Sequence, residues 1–229
     1  MHAIKVIAFD ADDTLWVNEP FFRQYEAEFA ALVEAYATKE EAQKALYKMF
    51  VKNLPLYGYG LKSFTLSLIE TLGQLSAGKA DYSLVQKTIE LGQAILRQPV
   101  EVLDGVEEVL KELNGDYRLV LATKGDLLDQ ERKLVRSGLA KYFHHIEVMS
   151  DKEVSDYEKL LKRLDCQPHE FLMVGNSLKS DVLPVLELGG KAVYVPFHTT
   201  WEHEIVEPDR HRHTLVEATS ITEILNIVR

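Results

Sequence analysis

The chain has 229 residues, enough for one large domain or for a domain carrying an insertion, and at 46% hydrophobic and 27% charged it has the composition of an ordinary globular protein. Its formal net charge of -10 excludes a broad basic footprint, so neither nucleic acid nor an anionic membrane is expected as a main partner; a small anionic substrate is compatible, because a local cation and a few backbone N–H groups outweigh a distant field. The single cysteine, Cys166, excludes an internal disulfide and fits a reducing compartment; lying between Asp165 and Gln167, it is read as structural. No signal peptide and no apolar run of membrane-spanning length is recognised, so a cytoplasmic location is expected.

In chain order, Val6-Ile7-Ala8-Phe9 is an uninterrupted apolar run, as in a strand buried on both faces of a parallel sheet. It ends in Asp10 and Asp12. An extended chain puts both acids on one side, at the carboxyl end of a central strand, where open α/β sheets place ligands. Two like charges that close call for a cation or a proton. A solvated turn is the other reading of the same residues.

Residues from about Glu19 to Leu96 are helical in pattern. Pro20 sits where a helix can start, and Phe22, Tyr25, Phe29, Leu32 and Tyr36 form one apolar face. Thr38-Lys39-Glu40-Glu41 has the form of a capping box, with Ala42, Ala45, Leu46, Met49 and Phe50 inward. The segment Asn53–Gly60 is expected to break the pattern. A third helix follows over Leu61 to Leu75 with Phe64, Leu68 and Leu72 on one face, and a fourth after the turn Gly78–Asp81. Four helices with no strand between them predict a small four-helix bundle.

From Pro99 strands and helices alternate. Asp104 is expected to cap a helix, Tyr117–Thr123 to be a strand, Asp126–Ser137 a helix stopped by Gly138, Ile146–Met149 a short strand, and Ser155–Leu164 a helix. Phe171–Val174 then reads as a strand, Leu178–Leu188 as one helix ended by Gly189-Gly190, and Ala192–Val195 as a strand. Pro196–Arg212 reads as a solvated, His-rich loop, Thr214–Val216 as a short extended segment, and Ser220 as the cap of a last helix. The expected architecture is α/β, a Rossmann-like parallel sheet covered on both faces, in residues 1–16 and 98–229, with a helical domain at 17–97 inserted after the first strand.

Further polar positions fall at expected strand ends. Thr123 is followed by Lys124-Gly125, a hydroxyl and N–H groups suited to an anion or simply to capping a helix. Lys152 follows the next strand, where it could pair with Asp10 and a bound anion or be a surface lysine. Gly175-Asn176-Ser177-Leu178-Lys179-Ser180-Asp181 offers oxygens for a hard cation at Asn176 and Asp181; helix capping and a first-turn acid are the structural alternatives.

The order strand-DxDxT, strand-T, Lys, strand-GNSxxxD resembles the haloacid dehalogenase-like (HAD) hydrolase superfamily over nearly the whole chain. Asp10-Ala11-Asp12-Asp13-Thr14 is its most specific piece. The resemblance implies a Mg²⁺-dependent phosphohydrolase acting on a small phosphorylated metabolite. Asp10 would be the nucleophile that forms an aspartyl-phosphate, and Asp12 would protonate the leaving oxygen and then activate water. Mg²⁺ would sit among Asp10, the Asp12 carbonyl, Asn176 and Asp181, while Thr123, the Lys124 N–H and Lys152 would hold phosphate oxygens. The helical insertion would be a cap that sets substrate choice, with Tyr57, Tyr59, Lys62 and Phe64 near its break.

One position departs from that pattern. The superfamily usually has Asp directly after the glycine of its fourth motif; Asn176 is neutral, so the site has one negative charge fewer. Metal-independent 2-haloacid dehalogenases of this superfamily carry Asn or Ser there, but they generally lack the second acid of the first motif. Asp12 is present, and a halide leaving group needs no proton, so a phosphatase is favoured over a dehalogenase. A sugar-phosphate mutase and a catalytically weak binding protein on the same scaffold are the other readings.

Overall fold

A computed structural model of the chain describes residues 4–206 and 215–228. Residues 207–214, which carry part of the expected loop and the start of the expected extended segment at Thr214, lie outside the described residues. The chain divides into two compact units. One comprises the chain up to Glu19, Val100–Lys124 and everything from Gln130 onward; the other comprises Pro20–Pro99 with Gly125–Asp129.

The first unit is built on β1 (Val6–Phe9), and the second holds α1 (Glu19–Leu32), α2 (Lys39–Tyr57), α3 (Leu61–Leu75) and α4 (Tyr82–Ile95). The chain then returns through α5 (Val106–Leu113), β2 (Arg118–Lys124), α6 (Leu127–Ser137), β3 (His145–Met149), α7 (Val154–Leu164), β4 (Phe171–Gly175), α8 (Leu183–Glu187), β5 (Lys191–Tyr194), β6 (Val216–Glu217) and α9 (Ile224–Val228).

Among the described residues six strands form one parallel sheet in the order β3-β2-β1-β4-β5-β6. Side chains alternate between its faces. Ile7, Phe9, Leu119, Leu121, Leu172, Val174 and Val193 pack under α5, α6 and α9, while Val6, Ala8, Val120, Ala122, Phe171, Met173 and Ala192 pack under α7 and α8. All four β1 side chains are buried, which is why the run carries no polar residue. Cys166 is buried in the second of these clusters, and burial pushes its thiol up to about 11, so at neutral pH it stays a thiol.

Strand order decides where a site can form. The chain leaves β1 toward β2 and β3, then crosses back to β4, β5 and β6 on the other side of β1. The reversal falls between β1 and β4, whose carboxyl ends open a crevice. Phe9 is in register with both Leu121 and Val174, so Asp10, Thr123 and Gly175 emerge at nearly the same level.

In the helical unit, α1 to α4 share one apolar cluster around Phe29, Leu46, Phe64, Leu68 and Leu72. Phe22 and Phe50 meet the Phe64 ring edge-on, with centroids 5.0 and 5.6 Å away. The Thr38 hydroxyl accepts the Glu41 N–H and the Glu41 carboxylate accepts the Thr38 N–H, forming the capping box that starts α2. The Asp126 carboxylate accepts the Lys62 N–H at 2.9 Å.

Four local expectations are corrected. Helix α1 stops at Leu32, so Tyr36 lies past its end and is exposed, while Val33 is buried instead. The pattern does not break at Asn53: α2 runs to Tyr57 with Pro55 inside it, since a proline in the last turn removes only one internal bond. Asn53 is buried and donates to Ser67 Oγ and Glu70 Oε1. Helix α5 has Gly105, not Asp104, at its N-cap, without a side-chain cap. The expected single helix after β4 begins as a π-helical turn, Leu178–Val182, before α8.

Gly105 has φ +79°, and a Cβ there would lie 2.5 Å from Thr222 Cγ2. Gly105→Ala is therefore expected to lower stability by about 1–3 kcal/mol, read as a lowered urea midpoint with an unchanged m-value.

Candidate active site

The first motif leaves β1 and turns tightly, with the Leu15 N–H bonded to the Ala11 carbonyl at 2.8 Å. Asp13 takes a left-handed conformation, φ 64°, which Asp tolerates better than most residues. Its buried carboxylate accepts the Asn18 and Glu19 N–H groups at the start of α1. Burial pushes Asp13 up to about 7, against the pull of the Asn18 N–H.

Asp10 is buried at the end of β1. Its Oδ1 accepts Lys152 Nζ at 2.5 Å, and its Oδ2 accepts the Thr14 hydroxyl at 3.1 Å. Lys152 follows β3 and also donates to Asp181 Oδ1 at 2.7 Å. The Lys152 side chain is 1% exposed, as is that of Asp181. The second Asp181 oxygen accepts the Ser177 N–H at 2.9 Å, inside the turn that leaves β4. Gly175 permits this approach, because a Cβ there would lie 2.3 Å from Asp181 Oδ2. Burial, reinforced by the neighbouring Asp181 charge, pushes Asp10 up to about 7 despite Lys152. Burial alone would strip the proton from Lys152, but Asp10 and Asp181 reverse that and hold it firmly charged.

Asn176 lies beside this triad. With its amide nitrogen turned inward it donates to Asp10 Oδ2 at 3.2 Å, Thr14 Oγ1 at 3.2 Å and the Asp12 carbonyl at 3.3 Å. The three oxygens, all from one short loop, thus surround the Asn176 amide, whose nitrogen satisfies them. With the amide turned over, its oxygen would stand among the other three. This is a donor set for a hard cation such as Mg²⁺: one carboxylate, one carbonyl and one amide. Among the described residues no group of three or more His, Cys, Asp or Glu is placed to hold a metal ion.

The remaining expected site residues are distributed differently. The Asp12 side chain has partners of its own: Trp16 Nε1 and Lys133 Nζ donate to Oδ1 at 2.7 and 2.9 Å, and Gln130 Nε2 donates to Oδ2 at 2.8 Å. Only its carbonyl faces Asn176. The Asp181 carboxylate is taken by Lys152 and Ser177. Thr123 is buried, its hydroxyl donating to the Lys124 carbonyl at 3.3 Å. The Lys124 ammonium donates to Glu204 Oε1 at 2.8 Å and Ser180 Oγ at 2.9 Å. In the helical unit, Phe64 is core and Tyr57 is exposed.

Glu204 is the residue that sequence reasoning missed. The segment after β5 was expected to be a solvated loop, yet it forms a turn, Glu202–Glu204, and the Glu204 carboxylate is largely buried. Besides Lys124 it accepts the Ser177 and Ser180 hydroxyls, each at 2.5 Å. Burial pushes Glu204 up, but Lys124 and the hydroxyls outweigh it and bring it down to about 2. No periodicity marks such a residue. Gln130 and Lys133 were missed too, although their spacing of one turn on a polar helix beginning after Thr123-Lys124-Gly125 was a usable signal.

A family model described as haloacid dehalogenase-like hydrolase matches residues 4–189, and the chain belongs to that family of hydrolytic enzymes. It is 39% identical to the crystal structure of a haloacid dehalogenase-like family hydrolase from Xanthomonas campestris, over 99% of this chain and 91% of that one, with a TM-score of 0.88. It is 25% identical to the glyceraldehyde 3-phosphate phosphatase of Methanothermobacter thermautotrophicus, over 97% of this chain and all of the relative. The human N-acylneuraminate-9-phosphatase is 26% identical, over 82% of this chain and 81% of the relative. Among the described residues no helix is long and apolar enough to cross a membrane.

Because Glu204 is held below the usual carboxylate range, its stabilisation is present above about 4.5 and lost as pH falls toward 2. Glu204→Gln should lower stability at pH 7 by about 1–3 kcal/mol, with the gap to the parent protein closing across that acid window in thermal melts.

Proposed function

We propose that the chain is a Mg²⁺-dependent phosphomonoesterase acting on a small phosphorylated metabolite. The observation that carries this reading is the buried Asp10, held by Lys152 and Thr14 among the oxygens that surround Asn176. An Asp10 oxygen bonds to phosphorus as the ester P–O bond breaks, and Asp12 supplies the proton taken by the leaving oxygen. In the second half, water attacks phosphorus, Asp12 takes its proton, and the bond to Asp10 breaks to free phosphate. Lys152, the Thr123 hydroxyl and the Lys124 N–H hold the transferring oxygens, whereas the Lys124 ammonium is committed to Glu204. Asp10, the Asp12 carbonyl and Asn176 would hold Mg²⁺, which would offset the charge repulsion between phosphate and the attacking carboxylate, while Asp181 is occupied by Lys152 and the Ser177 N–H.

Two supports are independent of this geometry. The curated relatives are named as phosphatases of small metabolites, glyceraldehyde 3-phosphate and an N-acylneuraminate 9-phosphate. Asp12 is an acid that a halide leaving group would not require, which sets the dehalogenase reading behind. In this reading residues 17–97 are the cap, residues 1–16 and 98–229 the catalytic core, and the location cytoplasmic.

Hydrolysis of p-nitrophenyl phosphate and of a panel of sugar and triose phosphates is expected with Mg²⁺ and not with EDTA. Asp10→Asn should lower kcat by about a thousandfold or more. Absence of turnover of every phosphomonoester by the folded protein would overturn the proposal, and metal-free chloride release from 2-chloropropionate would select the dehalogenase. Asn176→Asp places a negative charge among the oxygens around that position and should lower the Mg²⁺ concentration for half-maximal activity by roughly tenfold.

A further inference from the structure

Asp12 is held by more donors than a loop carboxylate needs. Trp16 Nε1 and Lys133 Nζ both reach Oδ1, and Gln130 Nε2 reaches Oδ2. A carboxylate oxygen has two lone-pair directions. Oδ1 is therefore filled, and Oδ2 has one direction left.

The donors are themselves fixed. Lys133 Nζ also donates to Asn18 Oδ1 at 2.8 Å, and the Asn18 N–H is bound by Asp13, so the ammonium is held at two points of the same loop. Gln130 is buried, and its Nε2 donates both to Asp12 and to the Lys124 carbonyl at 3.0 Å. Its Oε1 is buried with no hydrogen-bond partner among the described residues. Turning the amide over would set an oxygen against two acceptors, so Nε2 must face Asp12. A buried acceptor without a donor is costly to keep. Here that cost accompanies a donor aimed at Asp12.

We infer that Gln130 and Lys133, one turn apart on α6, are positioning residues for Asp12. They fill Oδ1 and one side of Oδ2, and so assign Oδ2 as the oxygen that exchanges the proton with the leaving group. This rests on the phosphomonoesterase reading above. The role is positional: neither residue takes or gives the proton, and the bonds made and broken are those already described.

The leaving group separates this role from a merely structural one. An alkyl alkoxide must be protonated as it departs, whereas p-nitrophenolate leaves as a stable anion. The measurement is kcat/KM for ethyl phosphate and for p-nitrophenyl phosphate with Mg²⁺, in the parent chain, Lys133→Met, Gln130→Leu, Asp12→Asn and Asp12→Asn/Lys133→Met. Lys133→Met and Gln130→Leu should each lower the ethyl phosphate value about tenfold or more beyond any loss on p-nitrophenyl phosphate. With Asp12→Asn in place, Lys133→Met should add no further selective loss. Equal losses on both substrates, or selective losses that multiply in the double variant, would overturn the inference. Should Lys133→Met fail to fold by circular dichroism, Gln130→Leu, which removes its own unpaired acceptor, decides the matter alone. A parent chain that hydrolyses no phosphomonoester, the sugar and triose phosphates included, removes the phosphomonoesterase reading and this inference with it; turnover of p-nitrophenyl phosphate and of any alkyl phosphate, ethyl phosphate or a member of that panel, without a selective loss on the alkyl ester removes the inference only.

Discussion

The Lys152 ammonium, buried between Asp10 and Asp181, is the interaction on which the site depends. It ties together the ends of three strands: Asp10 follows β1, Lys152 follows β3, and Asp181 lies in the turn after β4. Loss of Lys152 would leave two buried carboxylates without a counter-charge, which would be strongly destabilising, whereas loss of either aspartate leaves the lysine paired with the other. The surrounding backbone serves this contact. Gly175 lacks the Cβ that would collide with Asp181, the π-helical turn brings Asp181 back toward the sheet, and the Ser177 N–H takes the remaining oxygen. Strand order does the rest, since placing β4 directly beside β1 is what lets the two aspartates share one lysine.

Charge is distributed in the same economical way around the site. Lys133 lies on Asp12, Lys152 on Asp10 and Asp181, and Lys124 on Glu204. The two aspartates of the first motif, only two residues apart, therefore stand in different environments. Asp10 is buried beside the Lys152 ammonium and the Asn176 amide, while Asp12 faces α6 through donors on both oxygens. Such a separation lets two neighbouring carboxyl groups perform different chemistry. Asn176 fits the same pattern: its neutral amide satisfies the oxygens of Asp10, Thr14 and Asp12 without adding a further negative charge to a crowded centre.

Much of the frame was legible before any coordinates. The Val6–Phe9 run signalled a strand covered on both faces because burial on both sides removes every polar position, and the capping box at Thr38 signalled a helix start because its bonds are local. The local rules failed where a longer-range contact won. Tyr36 fits the apolar spacing of α1, but the helix ends before it. The segment from Asn53 reads as a break, yet α2 continues to Tyr57 with Asn53 buried against Ser67 and Glu70 of α3. The stretch after β5 reads as solvated from its acids and histidines, but Glu204 finds Lys124 and two serine hydroxyls.

The sequence by itself determined the alternation of strands and helices and the parallel sheet. It also determined the positions of Asp10, Asp12, Thr123, Lys152, Asn176 and Asp181 near strand ends. Hydrophobic periodicity and turn chemistry act over a few residues, and that is the range over which a sequence can be read directly. Tertiary structure alone decided which of these groups meet. Lys152 pairs with both Asp10 and Asp181, Asp12 turns to Gln130 and Lys133, and Glu204 closes on Lys124, because strand order and register bring together residues that lie far apart along the chain.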